Sequence, residues 1–444
     1  MSRHGRETRV PPERTGEADR EDRERAFSLL DEGIGRRDLL RATALIGAGA
    51  IAPAWATGCA VSQPPAPPGR PPAAVLQPGE GPRPGTYIVS TPDTIRWGSL
   101  PNRDAKAVAR VRSGAIVTFD AVSHEGILED QGRDPLAYFA SKGVAEQSVM
   151  RDARAIAESD LEHSLTDDGP HVVTGPVDVI GAVPGDALKV EVLALRPRTP
   201  YGVISNRHGK GALPGEFPEN SGPLPGASAR APERFRNVST FTPVRDVRGR
   251  GHGYLPVRPG LAAQFPLDPF MGIMGVALDT ARRVDSVPPT EAGGNLDVKN
   301  LTVGSSLYLP VFVPGAKFFV GDSHYAQGHG EVALTALEAP LRGTFRLTLL
   351  KEGSGQVPAE GGRLRMPFGE TAEYWMPIGL NADLDAAMKQ AVREAISFLG
   401  AELGMPRATA YAYLSAATDF VVSQVVDGTK GVHGLIRRAD FVAV

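Results

Sequence analysis

Short runs of alternating apolar and polar residues fill the chain from residue 87 to residue 195. The runs TYIVS, HVVTGPVDVIGAV and ALKVEVLAL are rich in β-branched residues, and turn-like segments such as VPGD separate them. In the last run Leu188, Val190 and Val192 alternate with polar residues, as in a strand with one buried face. This part of the chain therefore predicts a body of short β-strands.

The pattern changes twice further along the chain. Residues 201–267 are rich in Gly and Pro and weakly periodic, which predicts long loops and short strands. In residues 383–399 apolar residues recur at helical intervals and predict an amphipathic helix. Pro406 introduces a second helix that we expect to reach Phe420, and the runs VVSQVV and GVHGLI predict two strands around a turn at Asp427.

The N-terminal part of the chain follows neither pattern. Residues 1–34 are charged and polar and predict a disordered leader. In residues 35–59, Arg36 and Arg37 precede a weakly hydrophobic segment that is too short for a transmembrane helix. This segment resembles a twin-arginine export signal, with an ordinary amphipathic helix as the alternative. Residues 60–85 are rich in Pro and predict an extended linker.

Cys59 closes this signal-like segment and follows the small residues Ala56, Thr57 and Gly58. We expect either lipid modification of Cys59 or plain signal cleavage nearby. In both cases the export machinery would place the protein in the periplasm or on the outer face of the cytoplasmic membrane. Cys59 is the only cysteine, so the chain has no internal disulfide and no thiol nucleophile beyond this position.

Length and charge narrow the class of protein further. At 444 residues the chain exceeds one ordinary core, and its net charge of -3 indicates no nucleic-acid partner. After the leader and signal of residues 1–59 and the linker of residues 60–85, we divide it into a β-rich body and a smaller C-terminal α+β unit. These occupy residues 86–345 and 346–444.

Candidate metal ligands and proton carriers cluster among glycines in residues 321–338, GDSHYAQGHGEVALTALE. Asp322 and His324 are two residues apart, so on a strand their side chains share one face and can meet one cation. Glycines flank His329 and allow a tight turn, and Glu331 is expected at the start of the next strand. A polar hairpin loop with surface charges would show much the same pattern.

Other polar pairs lie elsewhere in the chain. Asn295 and Asp297 have the same strand spacing, with an Asx-rich turn as the alternative. His124 beside Glu125, and His163 beside Glu162, are expected to be solvated loop residues or structural histidines.

Several long motifs occur in the order WGSLPN, HVVTGPVDVIGAVPGDAL, FPLDPFMGIMGVA, GGNLDVKNLTVGSSLYLPVFVPGA, GDSHYAQGHGEVALTALE and AYLSAATDFVVSQVVDGTKGVHG. Through them, residues 94–441 resemble the acetamidase/formamidase family. The resemblance implies a mainly β fold, a jelly-roll-like sandwich plus a β-barrel-like part, with a smaller C-terminal α/β unit. It also implies a homodimer or higher homo-oligomer and a divalent metal, usually Zn²⁺, with Ca²⁺ or Mn²⁺ as alternatives.

The same resemblance implies roles for individual residues. The acidic and imidazole positions of the family motifs fall on Asp297, Asp322 and His324 as metal ligands and on Glu331 as the general base. Asn295 and His171 lie in motifs of the family and are candidates for substrate contact.

One position departs from the family pattern. Where the family usually has QGDGE, this chain has His329 between the two glycines. The exchange removes a fixed negative charge and adds a titrating imidazole. His329 is a candidate for assisting proton transfer or stabilising the oxyanion, and the exchange could also change substrate choice or abolish activity.

The reaction that the resemblance implies is hydrolysis of a small linear carboxamide, of the formamide or acetamide kind, to a carboxylate and ammonia. The metal would activate a water, and Glu331 would pass its proton to the leaving nitrogen. A G-x-S-x-G nucleophile motif is absent from the sequence. The alternatives are a catalytically inactive, exported metal- or amide-binding protein of the same fold, and an amidohydrolase for a bulkier or cyclic amide.

Overall fold

A computed structural model describes residue 71, residues 74–219 and residues 222–442 of the chain. The predicted leader, the export signal and Cys59 lie outside the described residues, as do residues 60–70, 72 and 73 of the predicted linker. No helix within the described ranges is long and apolar enough to cross a membrane.

Twenty-two strands and four α-helices lie within the described residues. The first eleven strands are β1 (Thr86–Ile88), β2 (Ile95–Trp97), β3 (Ser99–Leu100), β4 (Ala109–Val111), β5 (Ala115–Asp120), β6 (Val172–Val179), β7 (Ala187–Pro197), β8 (Tyr201–Asn206), β9 (Val238–Val247), β10 (Arg250–Arg258) and β11 (Leu261–Pro266). The second eleven are β12 (Phe270–Gly275), β13 (Val284–Asp285), β14 (Gly293–Asn295), β15 (Ser306–Pro310), β16 (Phe318–Ala326), β17 (Leu337–Glu338), β18 (Leu341–Leu350), β19 (Phe368–Glu370), β20 (Tyr374–Asn381), β21 (Asp419–Gln424) and β22 (Lys430–Arg437). The helices are α1 (Pro135–Ala140), α2 (Arg151–Ala157), α3 (Leu384–Leu403) and α4 (Arg407–Ala417).

Two large sheets organise these strands. The nine-stranded sheet has the order β1-β5-β18-β7-β15-β19-β20-β22-β21. The eleven-stranded sheet follows the order β11-β10-β9-β8-β17-β16-β12-β14, and β6 pairs with β16, β2 and β4 beside this path. A small ribbon joins β3 to β13. The mainly β prediction with helices near the C terminus is confirmed.

An apolar layer joins the two sheets. Phe119 of β5 and Phe345 of β18 belong to the nine-stranded sheet, and Phe318 of β16 belongs to the eleven-stranded sheet. The Phe318 ring centroid lies 5.8 Å from that of Phe119 and 6.0 Å from that of Phe345, in edge-to-face geometry. All three side chains are fully buried, so the sheets pack through these rings in the manner of a sandwich.

The C-terminal helices form largely where the apolar spacing predicts them. The Asp383 side chain caps α3 by accepting a hydrogen bond from the Ala386 backbone N–H at 2.8 Å. The helix packs closely on β20, because a Cβ at Gly379 would lie 2.2 Å from the Ala387 carbonyl oxygen. The prediction that the second helix reaches Phe420 is wrong, since Thr418 is extended and Phe420 lies in β21.

The strands cross the predicted division of the body. Strand β18 runs through positions 345 and 346, and β19 to β22 continue the sheet that contains β5 and β7. The division into a body and a C-terminal unit stays a prediction.

Residues 74–85, at the end of the predicted linker, pack on the body and so differ from an extended spacer. Buried arginines bind their backbone: Arg198 Nε donates to the Leu76 carbonyl at 3.1 Å, and Arg342 Nη2 donates to the Gln77 carbonyl at 3.3 Å. The Gln77 side chain in turn donates to the Val149 carbonyl at 3.0 Å. Ordered packing therefore begins before residue 86, where the predicted body starts.

Candidate active site

Strand β16 brings Asp322 and His324 to one face, as their spacing predicts. His324 Nε2 lies 3.1 Å from Asp322 Oδ2, and both side chains are buried. Pairing with β12 places Phe270 opposite His324 and Ile273 opposite Gly321. The side chains of Asp322 and His324 therefore point into the same buried space.

Three acidic residues of the site have left-handed backbone conformations. The φ angles are 50° at Asp297, 48° at Asp322 and 47° at Glu331. This region costs a non-glycine residue about 1–2 kcal/mol, and such strain concentrates at functional sites. Glycine would adopt this backbone conformation at a lower conformational cost. The presence of carboxylates at all three positions therefore indicates that these side chains have a function.

Local structure around two of these residues differs from the expectation. Strand β14 ends at Asn295, so Asn295 and Asp297 do not share a strand face. Glu331 lies in a turn, and the next strand, β17, begins only at Leu337. The prediction of a strand from Glu331 onward is wrong because the left-handed backbone at that residue ends the extended run.

Gly272 of β12 leaves the space in which these side chains meet. A Cβ at position 272 would lie 2.5 Å from Asp297 Oδ1, 2.7 Å from Asp322 Oδ2 and 2.9 Å from His324 Cε1. The atoms of three predicted ligands thus surround a volume that one methyl group would fill.

Three further residues belong to the site and were missed from the sequence. Glu338 Oε1 lies 3.0 Å from His324 Nε2. Asp427, expected in an ordinary turn, is buried and groups with Asp297 and Glu331. His124, expected in a loop or in a structural role, is also buried, with Nδ1 at 3.7 Å from Asp322 Oδ1.

No short-range signal marks these three residues. His124 follows β5, Glu338 ends the two-residue strand β17, and Asp427 lies between β21 and β22. Only the pairing of distant strands brings them to β16.

The other predicted site residues lie around this cluster. His171 Nε2 is 3.8 Å from Asp322 Oδ1, and its Nδ1 is 3.0 Å from the Ser286 hydroxyl. Asn295 donates from Nδ2 to the Val287 carbonyl at 3.1 Å, which leaves its buried Oδ1 without a hydrogen-bond partner.

Two cavities adjoin the cluster. The inner cavity, of about 90 Å³, is lined by His124, His171, Asn295, Asp322, Glu331 and Glu338, among others. A broader outer cavity of about 830 Å³ is also lined by Glu331. His329 lines the outer cavity and not the inner one. The structure therefore brings six of the seven predicted site residues around the acidic cluster and leaves His329 apart.

Burial dominates the electrostatics of the cluster. It raises the pKa of Asp297 to about 7, with the nearby carboxylates adding to the shift and His324 opposing it. Burial and the Asp297 carboxylate raise the pKa of Glu331 well above its usual range. The pKa of Asp322 is lowered instead, because His324 and His171 outweigh burial. Burial lowers the pKa of His171 to about 4, so this imidazole is neutral near pH 7.

The cluster has the features of a cation site. Both carboxylate oxygens of Asp297 and Oδ1 of Asp322 are buried without a hydrogen-bond partner. Asp297, Asp322 and His324 offer three ligand atoms that lie within 4.8 Å of one another. Five buried carboxylates meet here, and a cation would offset their mutual repulsion. Buried groups of this kind could hold a metal ion.

A hydrogen-bonded Ser–His–Asn chain lies beneath His329 but lacks access to substrate. Ser423 Oγ is 2.8 Å from His433 Nδ1, and His433 Nε2 is 3.1 Å from Asn300 Oδ1. Ser423 and His433 are both 0% exposed and line neither cavity. A substrate carbon in either cavity would not reach the Ser423 hydroxyl, so this chain is structural.

Residues 272–435 match the model of the Acetamidase/Formamidase family. The chain is 32% identical over 219 residues to a putative formamidase of Schizosaccharomyces pombe, which covers 41% of this chain and 52% of that protein. It is 29% identical over 201 residues to an acetamidase of Mycolicibacterium smegmatis, covering 36% of this chain and 49% of that protein. The chain spans about half the length of the curated relatives it matches.

Solved structures support the fold. The crystal structure of an acetamidase from Bacillus halodurans superposes with a TM-score of 0.59 at 23% identity, covering 80% of this chain and 98% of that chain. An acetamidase from Yersinia enterocolitica gives a TM-score of 0.59 at 22% identity, covering 83% and 96%.

Proposed function

We propose that this chain, whose residues 272–435 match the Acetamidase/Formamidase family model, hydrolyses a small linear carboxamide to a carboxylate and ammonia. The observation that supports this most is the convergence of Asp297, Asp322, His324 and Glu331, with unpartnered buried atoms, beside a small cavity. Formamide and acetamide are the substrates we expect.

The proposal includes a divalent metal held by Asp297, Asp322 and His324. Carboxylate oxygens and an imidazole nitrogen suit Zn²⁺, with Ca²⁺ and Mn²⁺ as alternatives. When bound, the cation would polarise the amide carbonyl and lower the pKa of a water.

The protein's own groups orient the amide and move the proton. Asn295 Oδ1 is free to accept a hydrogen bond from the amide nitrogen, because Nδ2 is already bound to Val287. Glu331 takes a proton from the attacking water and donates it to the nitrogen as the carbon–nitrogen bond breaks. The water oxygen joins the carbonyl carbon, and ammonia leaves with the transferred proton.

Cavity size favours small substrates. Sites for drug-sized ligands enclose roughly 300–1,000 Å³, well above the inner cavity of about 90 Å³. A bulkier or cyclic amide would need the wall between the two cavities, which includes Glu331, to move.

We expect the Glu331→Gln variant to lose activity without losing metal. The Gln side-chain amide of the variant cannot take the proton from the attacking water. The kcat for acetamide should therefore fall by roughly 10²–10⁴. Ammonia release from formamide, acetamide and larger amides, measured with metal content, tests this. Full activity in the variant would remove Glu331 as the base, and wild-type protein that binds metal without any turnover would favour the inactive binding protein.

We also propose that the protein is exported by the twin-arginine machinery and is a homodimer or higher homo-oligomer. Mass spectrometry of the mature N terminus distinguishes lipidated Cys59 from plain cleavage. Light scattering of the purified protein measures the oligomeric state, and a monomer at working concentration would contradict the assembly.

A further inference from the structure

The contact between Arg207 and His124 decides where the His124 proton lies. Arg207 Nη2 is 2.9 Å from His124 Nε2. A guanidinium can only donate hydrogen bonds, so Nε2 must accept. Glu125 Oε1 is 3.5 Å from the same nitrogen and is too distant to compete for it as an acceptor. A neutral imidazole whose Nε2 accepts carries its proton on Nδ1.

Arg207 lies beside two carboxylates. The side chain is buried, and its charge faces Glu125 Oε1 at 3.5 Å and Asp130 Oδ1 at 3.8 Å. Asp130 is fixed in turn, because its Oδ2 accepts from His208 Nε2 at 2.9 Å and from Asn237 Nδ2 at 2.8 Å. The guanidinium that donates to His124 is therefore buried beside two carboxylates.

The other nitrogen of His124 faces the inner cavity without a partner. Nδ1 has no hydrogen bond, and the nearest carboxylate oxygens, of Asp322 and Glu338, lie at 3.7 Å and 3.9 Å. A buried N–H left unpaired is destabilising, and a hydrogen bond to a ligand oxygen would offset that cost. A cation bound at Nδ1 would displace the proton from that nitrogen. Because Nε2 accepts from Arg207 and carries no proton either, the His124 imidazole would then be deprotonated on both nitrogens.

We propose that Arg207 holds His124 as the tautomer protonated at Nδ1, and that this N–H donates to the carbonyl oxygen of the bound carboxamide. His124 is then a catalytic residue and not a metal ligand, although its position beside His171 and Asp322 offers metal-ligand geometry. With Asn295 Oδ1 as the acceptor for the amide N–H, the cavity presents the donor and acceptor that a primary carboxamide needs. The carbonyl role rests on the proposed function.

Nitrogen NMR tests the tautomer directly. In ¹⁵N-histidine-labelled protein loaded with ¹¹³Cd²⁺, His124 should show a protonated Nδ1, an unprotonated Nε2 and no coupling to cadmium. The His124→Asn variant assigns its signals, and half-buried His252, away from the site on β10, serves as a reference. The Arg207→Gln variant leaves the His124 ring intact but no longer forces its Nε2 to accept a hydrogen bond, so the His124 signals should shift. This variant assigns the signals if His124→Asn fails to fold. Cadmium coupling at His124, or a protonated Nε2, would overturn the inference.

Variants test the donor role. His124→Ala should keep its full metal content and lose roughly 10²–10³ in kcat/KM for acetamide, the usual effect of removing one oxyanion donor. His124→Asn should recover at least tenfold of that loss, because the Asn amide offers an N–H near the position of Nδ1. Metal loss in His124→Ala, or unchanged kcat/KM, contradicts the role. Wild-type protein without turnover would remove the proposed function, whereas the cadmium measurement would still decide whether His124 is a ligand.

Discussion

At the scale of single residues, the site depends on one position without a side chain. Gly272 lies where a Cβ would come within 2.5 Å of Asp297 Oδ1 and 2.7 Å of Asp322 Oδ2. These contacts are shorter than van der Waals distance, and both carboxylates sit on left-handed backbone that has little freedom to shift. An added methyl group would therefore displace the ligands.

We expect Gly272→Ala to lose bound metal and at least 10²-fold in kcat, while the protein still folds. Elemental analysis and ammonia release measure the two effects. Gly400→Ala on α3 is the matched control, since its Cβ would meet only the Met405 carbonyl at an ordinary 3.7 Å. Full metal content in Gly272→Ala would show that Asp297 and Asp322 do not share a cation.

The sequence predicts part of this site for a clear physical reason. Asp322 and His324 lie two residues apart in β16, so their spacing predicts that they are neighbours, although Asp322 also has a left-handed backbone. Asp297 and Glu331 are found through motif resemblance, although their left-handed backbone defeats the strand argument. His124 was missed because a His–Glu pair in a loop has the same local pattern whether it faces solvent or a cavity.

At the scale of elements, His163 fastens the loop between α2 and β6. Its Nδ1 is 3.0 Å from Glu129 Oε2, and its Nε2 is 3.0 Å from the Gly169 carbonyl. The ring stacks on Trp97 with 4.5 Å between centroids. This matches the expected structural histidine, although its partner is Glu129 and not the adjacent Glu162. Both nitrogens face acceptors, so the charged imidazolium suits the position.

The pH dependence of this contact has a definite sign. Burial alone would lower the pKa of His163, but the bonds to Glu129 and Gly169 outweigh it and raise the pKa above 6.5. The stabilisation is therefore complete below pH 6.5 and is lost as the pH rises through the raised value. We expect His163→Asn to be less stable than wild type by about 1–2 kcal/mol at pH 6, with a smaller difference at pH 9.

Urea unfolding at both pH values measures that difference. His252→Asn, on the exposed hairpin of β10 and β11, controls for general effects of the exchange. A difference that stays constant or grows toward pH 9 would contradict a charged His163.

At the scale of the whole molecule, the site lies where the two sheets meet. Asp322, His324 and Glu338 belong to the eleven-stranded sheet, whereas His124 and Asp427 follow strands of the nine-stranded sheet. Hydrophobic alternation predicts the strands but not which distant strands pair, because pairing depends on packing across the entire body. The β class was therefore predictable, and the full set of site residues was not.

A cation at this meeting point should stabilise the whole fold, because it would bind carboxylates that otherwise repel one another. Mass action gives about 4 kcal/mol when free metal exceeds its Kd a thousandfold. We expect EDTA to lower Tm and Zn²⁺ to restore it, as followed by calorimetry. Asp297→Asn, which removes one carboxylate charge from the cluster, should show a smaller difference between chelated and metal-loaded protein. Equal Tm values for wild-type protein under both conditions would mean that no cation links the sheets, even if the small cavity binds amides.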